Sequence, residues 1–276
     1  MEELLRTLPE PFNRAVVMYQ RGTLEILRAK MDQAVTTIDH CLLACVDAGL
    51  PESRNLAVIG GLMFAMHHQQ GRLHELGPMA RPLLVDQPCI PAWRSAVAMV
   101  AAEAGDDDEI STQVDALSPD GFAVFHEDFI WTGGMTGLGV AVATTGDVDR
   151  CRLVYDRLQG HSGLLSWLGS GSFGPVDQAL GDLALVSIGA DEAEGHYRIA
   201  QQISIDWTAP GYLSWAECGL ARVHLAREEP DQARALLETA GDRARALGLA
   251  GVLISIDRVL SAMGLPAHGP HSLRAG

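Results

Sequence analysis

The chain has 276 residues, 47% of them hydrophobic, and its 20 basic residues are outnumbered by 35 acidic ones, for a net charge of −15. The apolar content supports a folded core and excludes a disordered chain, whereas the acidic balance repels phosphate backbones and argues against nucleic-acid binding. The sequence contains no uninterrupted apolar stretch of the roughly 18 residues that a membrane span requires.

The cysteines and the N-terminus bear on location. The five cysteines are an odd number and are scattered through helical patterns, which favours buried free thiols in a reducing compartment. No basic start followed by an apolar run, typical of a signal peptide, is evident at the N-terminus. These features predict a cytoplasmic protein that does not associate with membranes.

Residues 1–12 are predicted to be a lead-in, because Pro9 and Pro11 delay the first helix. Turn residues and apolar periodicity then predict alternating helices as far as residue 263, followed by a flexible tail at 264–276. Asp106, Asp147 and Asp231 stand where they would cap a helix or act as first-turn acids. The predicted helices are 13–28, 31–48, 54–70, 78–86, 92–104, 107–118, 127–145, 147–159, 175–188, 190–204, 212–227, 230–247 and 250–263.

A spaced pattern recurs along these helices. In its clearest copy, Leu180-Gly181 is followed by the small residue Ala193 and then by Tyr197 and Ala200. Residues four and seven positions beyond the anchor lie on the same helical face, and a small anchor lets two helices cross closely. Successive anchors are 34 to 42 residues apart, and a tetratricopeptide unit has about 34 residues. The anchors are Ala34, Leu76, Ile110, Cys151, Ala193 and Ala233.

The pattern predicts an all-α, right-handed α-solenoid of about six tetratricopeptide-like helix pairs over residues 13–263. Each pair buries its apolar face only against its neighbours, so the units must stack. The first helix of each pair is expected to line a concave surface, where such proteins bind their partners.

One connection is unusually long. Residues 160–174 are glycine-rich and include Trp167 and Phe173, whereas connections in helical bundles usually have two to eight residues. Packing of Trp167 over the solenoid edge is the favoured interpretation, because aromatic residues dominate packing. The alternative is a loop that closes over a bound small molecule.

Chemical motifs are weak. The glycine-rich run 133–139 lies within a helical period rather than after a strand, so it indicates close helix packing rather than a nucleotide loop. His40, Cys41 and Cys45 lack the third or fourth converging ligand of a metal site. His196 and His224 lie beside seam positions and are interpreted as half-buried polar residues. We therefore predict no catalytic set, no cofactor and no metal.

Four segments carry a resemblance to a known group of proteins, and the most distinctive piece is Gly174-Pro175-Val176-Asp177 followed by Leu180-Gly181. The tract from Pro91 to Leu260 resembles the C-terminal helical-repeat region of bacterial signal-transduction ATPases. Such regulators also carry a LuxR-type DNA-binding domain or a class III nucleotide cyclase domain. The four segments are 90–109, 126–147, 171–200 and 220–251.

The resemblance implies only the repeat region, acting as a sensing or docking module. A G-x-x-x-x-G-K-[ST] phosphate loop is absent from the sequence. The first hypothesis is accordingly a non-enzymatic module that binds a protein partner on its concave face. The second is a small-molecule-sensing domain of a transcriptional or cyclase regulator. The candidate binding residues are Asp128, Trp131, Trp167, Phe173, Asp177, Gln178, Trp215 and Glu217.

Overall fold

The computed structural model describes residues 10–264, so the predicted lead-in and tail lie almost entirely outside the described residues. This part of the chain is all-helical, and its strand-like pairing amounts to one isolated bridge between Leu165 and Pro175. The helices of ten or more residues are α1 Pro11–Leu27, α2 Met31–Asp47, α3 Glu52–Gln70, α4 Gly77–Asp86, α5 Ala92–Ala104, α6 Asp107–Leu117, α7 Trp131–Ala143, α8 Val148–Leu158, α9 Val176–Ser187, α10 Ala190–Asp206, α11 Pro210–Ala226, α12 Pro230–Leu247 and α13 Ala250–Ala262. Shorter helical turns cover Leu73–Leu76, Pro119–Phe122 and Gln159–His161.

The predicted helices are confirmed to within a few residues, with one larger difference. The helix predicted from residue 127 begins at Trp131. Asp128 lies in a turn, where its Oδ1 accepts a hydrogen bond from the Ile130 amide at 3.0 Å. Such Asx turns compete with helical backbone bonds, which explains the later start of α7.

Helix ends follow the predicted capping chemistry. The Asp106 carboxylate accepts a hydrogen bond from the Glu109 amide at 3.1 Å, and the Asp147 carboxylate accepts one from the Arg150 amide at 3.0 Å. Each bond satisfies an amide that the first helical turn leaves without an intrahelical partner. Asp231 lies in the first turn of α12.

The repeated pattern marks the buried seams between helices. All six anchors and the residues four and seven positions beyond them are buried. Tyr197 shows why small residues occur on the neighbouring helices. Its ring lies between α9 and α11. A Cβ atom placed on Gly181 or Gly219 would lie 2.6 or 2.2 Å from that ring. The two glycines therefore create the space that the aromatic side chain fills.

The last helix lies against the third. α13 packs on α3, and α11 also contacts α1. A Cβ atom on Gly251 would lie 2.3 Å from the backbone oxygen of His68, and one on Gly71 would lie 2.6 Å from Cδ1 of Ile254. These close approaches join the two ends of the helical stack, so the first helices of successive pairs surround an interior space.

The long connection enters this interior as an ordered hairpin. Its two arms are joined by hydrogen bonds from the Ser166 amide to the Gly174 oxygen and from the Leu168 amide to the Gly171 oxygen, both 2.9 Å. Its arms are anchored to α7 and α11: the Gly133 amide donates to the Trp167 oxygen at 3.0 Å, and the Tyr212 hydroxyl donates to the Ser172 oxygen at 3.0 Å. The hairpin is therefore a packed part of the core.

Between residues 10 and 264, no helix is both long and apolar enough to cross a membrane.

Candidate functional site

The interior contains a cavity of about 800 Å³, here called the central cavity. Its walls come from α3, α5, α7, α9, α11 and α13, and Phe173 of the hairpin closes one side. Cavities that hold small molecules usually measure about 300–1,000 Å³ and combine apolar walls with a few polar groups. The central cavity has the size and the composition of such a site.

A polar network crosses one wall of the central cavity. Asp182 accepts hydrogen bonds from the Arg222 guanidinium and the Tyr197 hydroxyl, each at 2.7 Å, and a longer one of 3.3 Å from the Gln178 amide nitrogen. The amide oxygen of Gln178 is buried and has no hydrogen-bond partner. Buried polar atoms are normally paired, so this unpaired acceptor is an exception within the cavity wall.

Aromatic rings form another part of the lining. His68 stacks on Trp215 with ring centroids 4.5 Å apart and planes inclined by 11°, and Phe173 meets His68 edge-on at 6.0 Å. Burial lowers the pKa of His68 to about 4, because the interior disfavours a charged imidazolium. At neutral pH this wall is therefore uncharged.

Charged side chains lie elsewhere on the lining. Arg258 is exposed and forms no ion pair with any residue between 10 and 264, while Asp107 lies at the start of α6. Glu103 is already bound to the ring of His74, at 2.9 Å from its Nδ1. Arg258 is thus the guanidinium that a bound anionic group could reach without breaking an existing pair.

Three of the predicted binding residues lie on the central cavity: Phe173, Gln178 and Trp215. Trp167 is half-buried in the hairpin, where its backbone amide donates a hydrogen bond to the Thr132 hydroxyl at 3.1 Å. Asp128 is exposed in the turn before α7. The protein-binding role of these residues stays a prediction.

The remaining predicted residues, Asp177, Trp131 and Glu217, are buried. Asp177 is fully buried and accepts hydrogen bonds from the Ser162 hydroxyl, the Gly163 amide and the ring of His196, at 2.6–2.7 Å. Asp177 lies in the first turn of α9, and its hydrogen bonds join the preceding long connection to that helix. No surface remains for a partner to contact.

Trp131 and Glu217 are buried for different reasons. The Arg157 guanidinium lies 4.9 Å above the Trp131 ring, and His161 covers the same ring at 4.4 Å. Glu217 forms an ion pair of 2.5 Å with Arg243 of α12. Both side chains join helices to each other instead of facing the interior space.

His196 has more partners than its spacing suggested. It is buried and bridges Asp177 to the hydroxyl of Tyr155, whose oxygen lies 3.0 Å from Nε2. Tyr155 also donates to Glu192 at 2.8 Å. A His–Asp pair of this kind occurs in catalysis, but here both ring nitrogens are occupied by side chains that link α8, α9 and α10.

No protein-family model matches the chain, and no curated protein matches it. The interpretation of the site therefore depends on its chemistry.

Several lining residues were missed by the sequence analysis, namely His68, Asp182, Arg222 and Arg258. They come from four helices between residues 52 and 262. These residues have no regular spacing in the sequence. They reach one cavity because α13 packs on α3. The signal that could have identified them is the glycine pair Gly71 and Gly251, which allows that contact.

Proposed function

We propose that this protein is a sensor module that binds a small polar organic molecule in its central cavity. The observation that carries the proposal is the buried, unpartnered amide oxygen of Gln178 in the cavity wall. Leaving such an acceptor without a hydrogen bond costs about 1–3 kcal/mol. A ligand that donates a hydrogen bond to it would recover this energy.

The lining favours a particular ligand chemistry. The ligand would donate to the Gln178 oxygen, present an anionic group such as a carboxylate to Arg258, and place a flat or apolar body beside His68 and Trp215. Amino acids and hydroxy acids combine these groups. Because Asp182 already neutralises Arg222, Arg258 would supply the charge recognition.

The proposed architecture is a right-handed solenoid of about six tetratricopeptide-like pairs, related to the helical-repeat region of bacterial regulatory ATPases. It is supported by the buried seam positions and by the first helices that line the cavity. In this proposal the module is not an enzyme, and it acts in the cytoplasm by reporting ligand occupancy to a transcriptional or cyclase regulator.

The test is thermal unfolding of the protein against a panel of amino acids, hydroxy acids, dicarboxylic acids and nucleosides. A ligand at 100 times its dissociation constant adds about 2.7 kcal/mol of stability. We expect at least one compound to raise the melting temperature of the native protein and to lose most of that effect in Gln178→Leu.

A matched control is Gln202→Leu. Gln202 donates to Asp206 at 2.8 Å, with the same four-residue spacing as Gln178 and Asp182, but on the exposed face of α10. The control should retain the full ligand response. Failure of every compound to stabilise the native protein, or an equal response in Gln178→Leu, would contradict the proposal.

A protein partner is the second candidate function. Phe129 is 72% exposed and Val124 is 50% exposed, and both flank the predicted binding residue Asp128. Exposed apolar side chains beside a charged residue are typical of interaction surfaces. Capture of a specific protein by the native chain, lost in a Phe129→Ala, Asp128→Lys variant that remains folded, would support this function.

A further inference from the structure

A second cavity lies on the other side of the hairpin. It measures about 640 Å³ and is here called the apolar cavity. Its aromatic lining consists of Phe12, Tyr19, Phe64, Trp93, Phe129 and Phe173. None of its lining side chains, among those the structure describes, carries a charge. The central cavity contains several charged groups, so the two cavities differ in chemistry.

One polar atom inside the apolar cavity has no partner. Ser95 on α5 is 1% exposed, lines the cavity and makes no hydrogen bond through its Oγ. A helical serine normally satisfies its hydroxyl on the carbonyl four residues earlier, as Ser204 does at 2.7 Å from the Ala200 oxygen. Ser95 therefore carries an unpaired donor and acceptor in a wall that is mostly apolar.

The backbone also approaches this cavity closely. Gly60 and Gly61 bring the backbone of α3 close to the residues of this wall. A Cβ atom on Gly60 would lie 2.9 Å from the Trp93 ring, and one on Gly61 would lie 2.8 Å from the Ser170 hydroxyl. Trp93 is held by a hydrogen bond of 3.2 Å to the side-chain oxygen of Gln87. Packing and a hydrogen bond between two lining residues therefore hold this wall in place.

We propose that the apolar cavity is a separate binding site for a neutral, ring-containing small molecule that carries one hydrogen-bonding group for Ser95. The absence of charged lining side chains disfavours an ion, which would lose its hydration without compensation. The volume fits a molecule of two or three rings. The site adjoins the central cavity at Phe173, whereas Ser95 and Trp93 line the apolar cavity alone.

The experiment uses N-phenyl-1-naphthylamine, a neutral fluorescent probe whose single N–H group would donate to Ser95 Oγ, titrated into the full-length protein. We expect saturable fluorescence with energy transfer from Trp93, reduced in Trp93→Phe. Ser95→Ala should weaken binding by about tenfold, the effect of losing one hydrogen bond in an apolar site. Ala96→Phe, which places a ring in the cavity, should abolish it.

Three controls separate a binding site from a structural role. Ser95→Ala should leave the melting temperature unchanged or raised, since it removes an unsatisfied group, whereas Ser204→Ala should lower it and bind the probe normally. The probe 1-phenylnaphthalene, which lacks the amine, should bind equally to the native protein and to Ser95→Ala. Gln178→Leu should not affect either probe, which keeps this test distinct from that of the central cavity.

The proposal is overturned if the native protein gives no saturable signal with the amine probe. It is also overturned if the probe binds Ser95→Ala and a folded Ala96→Phe as tightly as the native protein, because binding would then be nonspecific or located elsewhere. A loss of folding in Ala96→Phe leaves the comparison between Ser95→Ala and Ser204→Ala decisive.

Discussion

His68 of α3 stacks on Trp215 of α11, with ring centroids 4.5 Å apart and planes inclined by 11°. The two residues belong to helices that are far apart in the sequence and meet because α13 and α11 close on the first helices. Their contact contributes both to the closure of the fold and to the wall of the central cavity. The stability of the fold therefore depends on the charge of the His68 imidazole.

We predict that acidification weakens the fold through His68. The unfolded imidazole binds a proton below its ordinary pKa of 6.5, whereas burial keeps the folded pKa at about 4. Between these values the unfolded state holds more protons, so stability falls as the pH decreases from 6.5 towards 4. Urea unfolding at pH 7 and pH 5 should show a loss of up to about 2 kcal/mol from this residue.

His68→Phe preserves the aromatic stack and removes the titrating group. It should therefore reduce the difference in unfolding free energy between the two pH values. His40 is exposed, and His40→Gln should leave that difference unchanged. An equal pH dependence in the native protein and in His68→Phe would show that another group is responsible.

The closure between α13 and α3 should be sensitive to a single methyl group. In Gly251→Ala the new Cβ atom would lie 2.3 Å from the His68 oxygen, a backbone atom that cannot move independently. We expect a destabilisation of about 1–3 kcal/mol, measured by urea unfolding, as for other overpacked sites. Gly195→Ala, in an exposed helical position with open space around it, should stabilise by about 0.5–1 kcal/mol.

Asp177 and Asp128 should respond differently to substitution. Asp177→Ala removes a fully buried acceptor of three hydrogen bonds, one of them from the buried ring of His196, and should cost roughly 3 kcal/mol. Asp128→Ala loses one turn hydrogen bond at the surface and should cost less than about 1 kcal/mol. Similar losses in the two variants, measured by thermal unfolding, would argue against the buried position of Asp177.

Thiol reactivity should distinguish one cysteine from the others. Burial raises the pKa of Cys41, Cys151 and Cys218 to about 12, and Cys45 is also buried, while Cys89 is exposed. Because the thiolate is the reactive form, Ellman's reagent at pH 8 should modify one thiol rapidly in the native protein. Cys89→Ser should abolish this fast phase, and unfolding in urea should release the remaining thiols.

The sequence by itself determined the helices and their seams. Residues such as Ala193, Tyr197 and Ala200 could be predicted as buried because their spacing places them on one helical face, and the caps Asp106 and Asp147 could be predicted because capping is a local interaction. The start of α7 was less predictable, since the Asx turn at Asp128 competes with an otherwise helical sequence.

The candidate site could be predicted only in part. Phe173, Gln178 and Trp215 were identified as candidate binding residues and lie on the central cavity. Asp177 and Trp131 were identified in the same way but do not line that cavity. The position of a residue on the first helix of a pair does not show whether its side chain is covered by the hairpin. Coverage depends on how the hairpin, more than 30 residues from Trp131 in the sequence, folds into the interior.

The division of the interior into two cavities could not be predicted from the sequence and became visible in the tertiary structure. The close approaches at Gly71 and Gly251 bring α3 and α13 together, and the hairpin then separates the central cavity from the apolar cavity at Phe173. Helix periodicity is a local property, encoded within a few turns. Cavity walls are assembled from residues with no fixed spacing, so their chemistry emerges when distant helices meet.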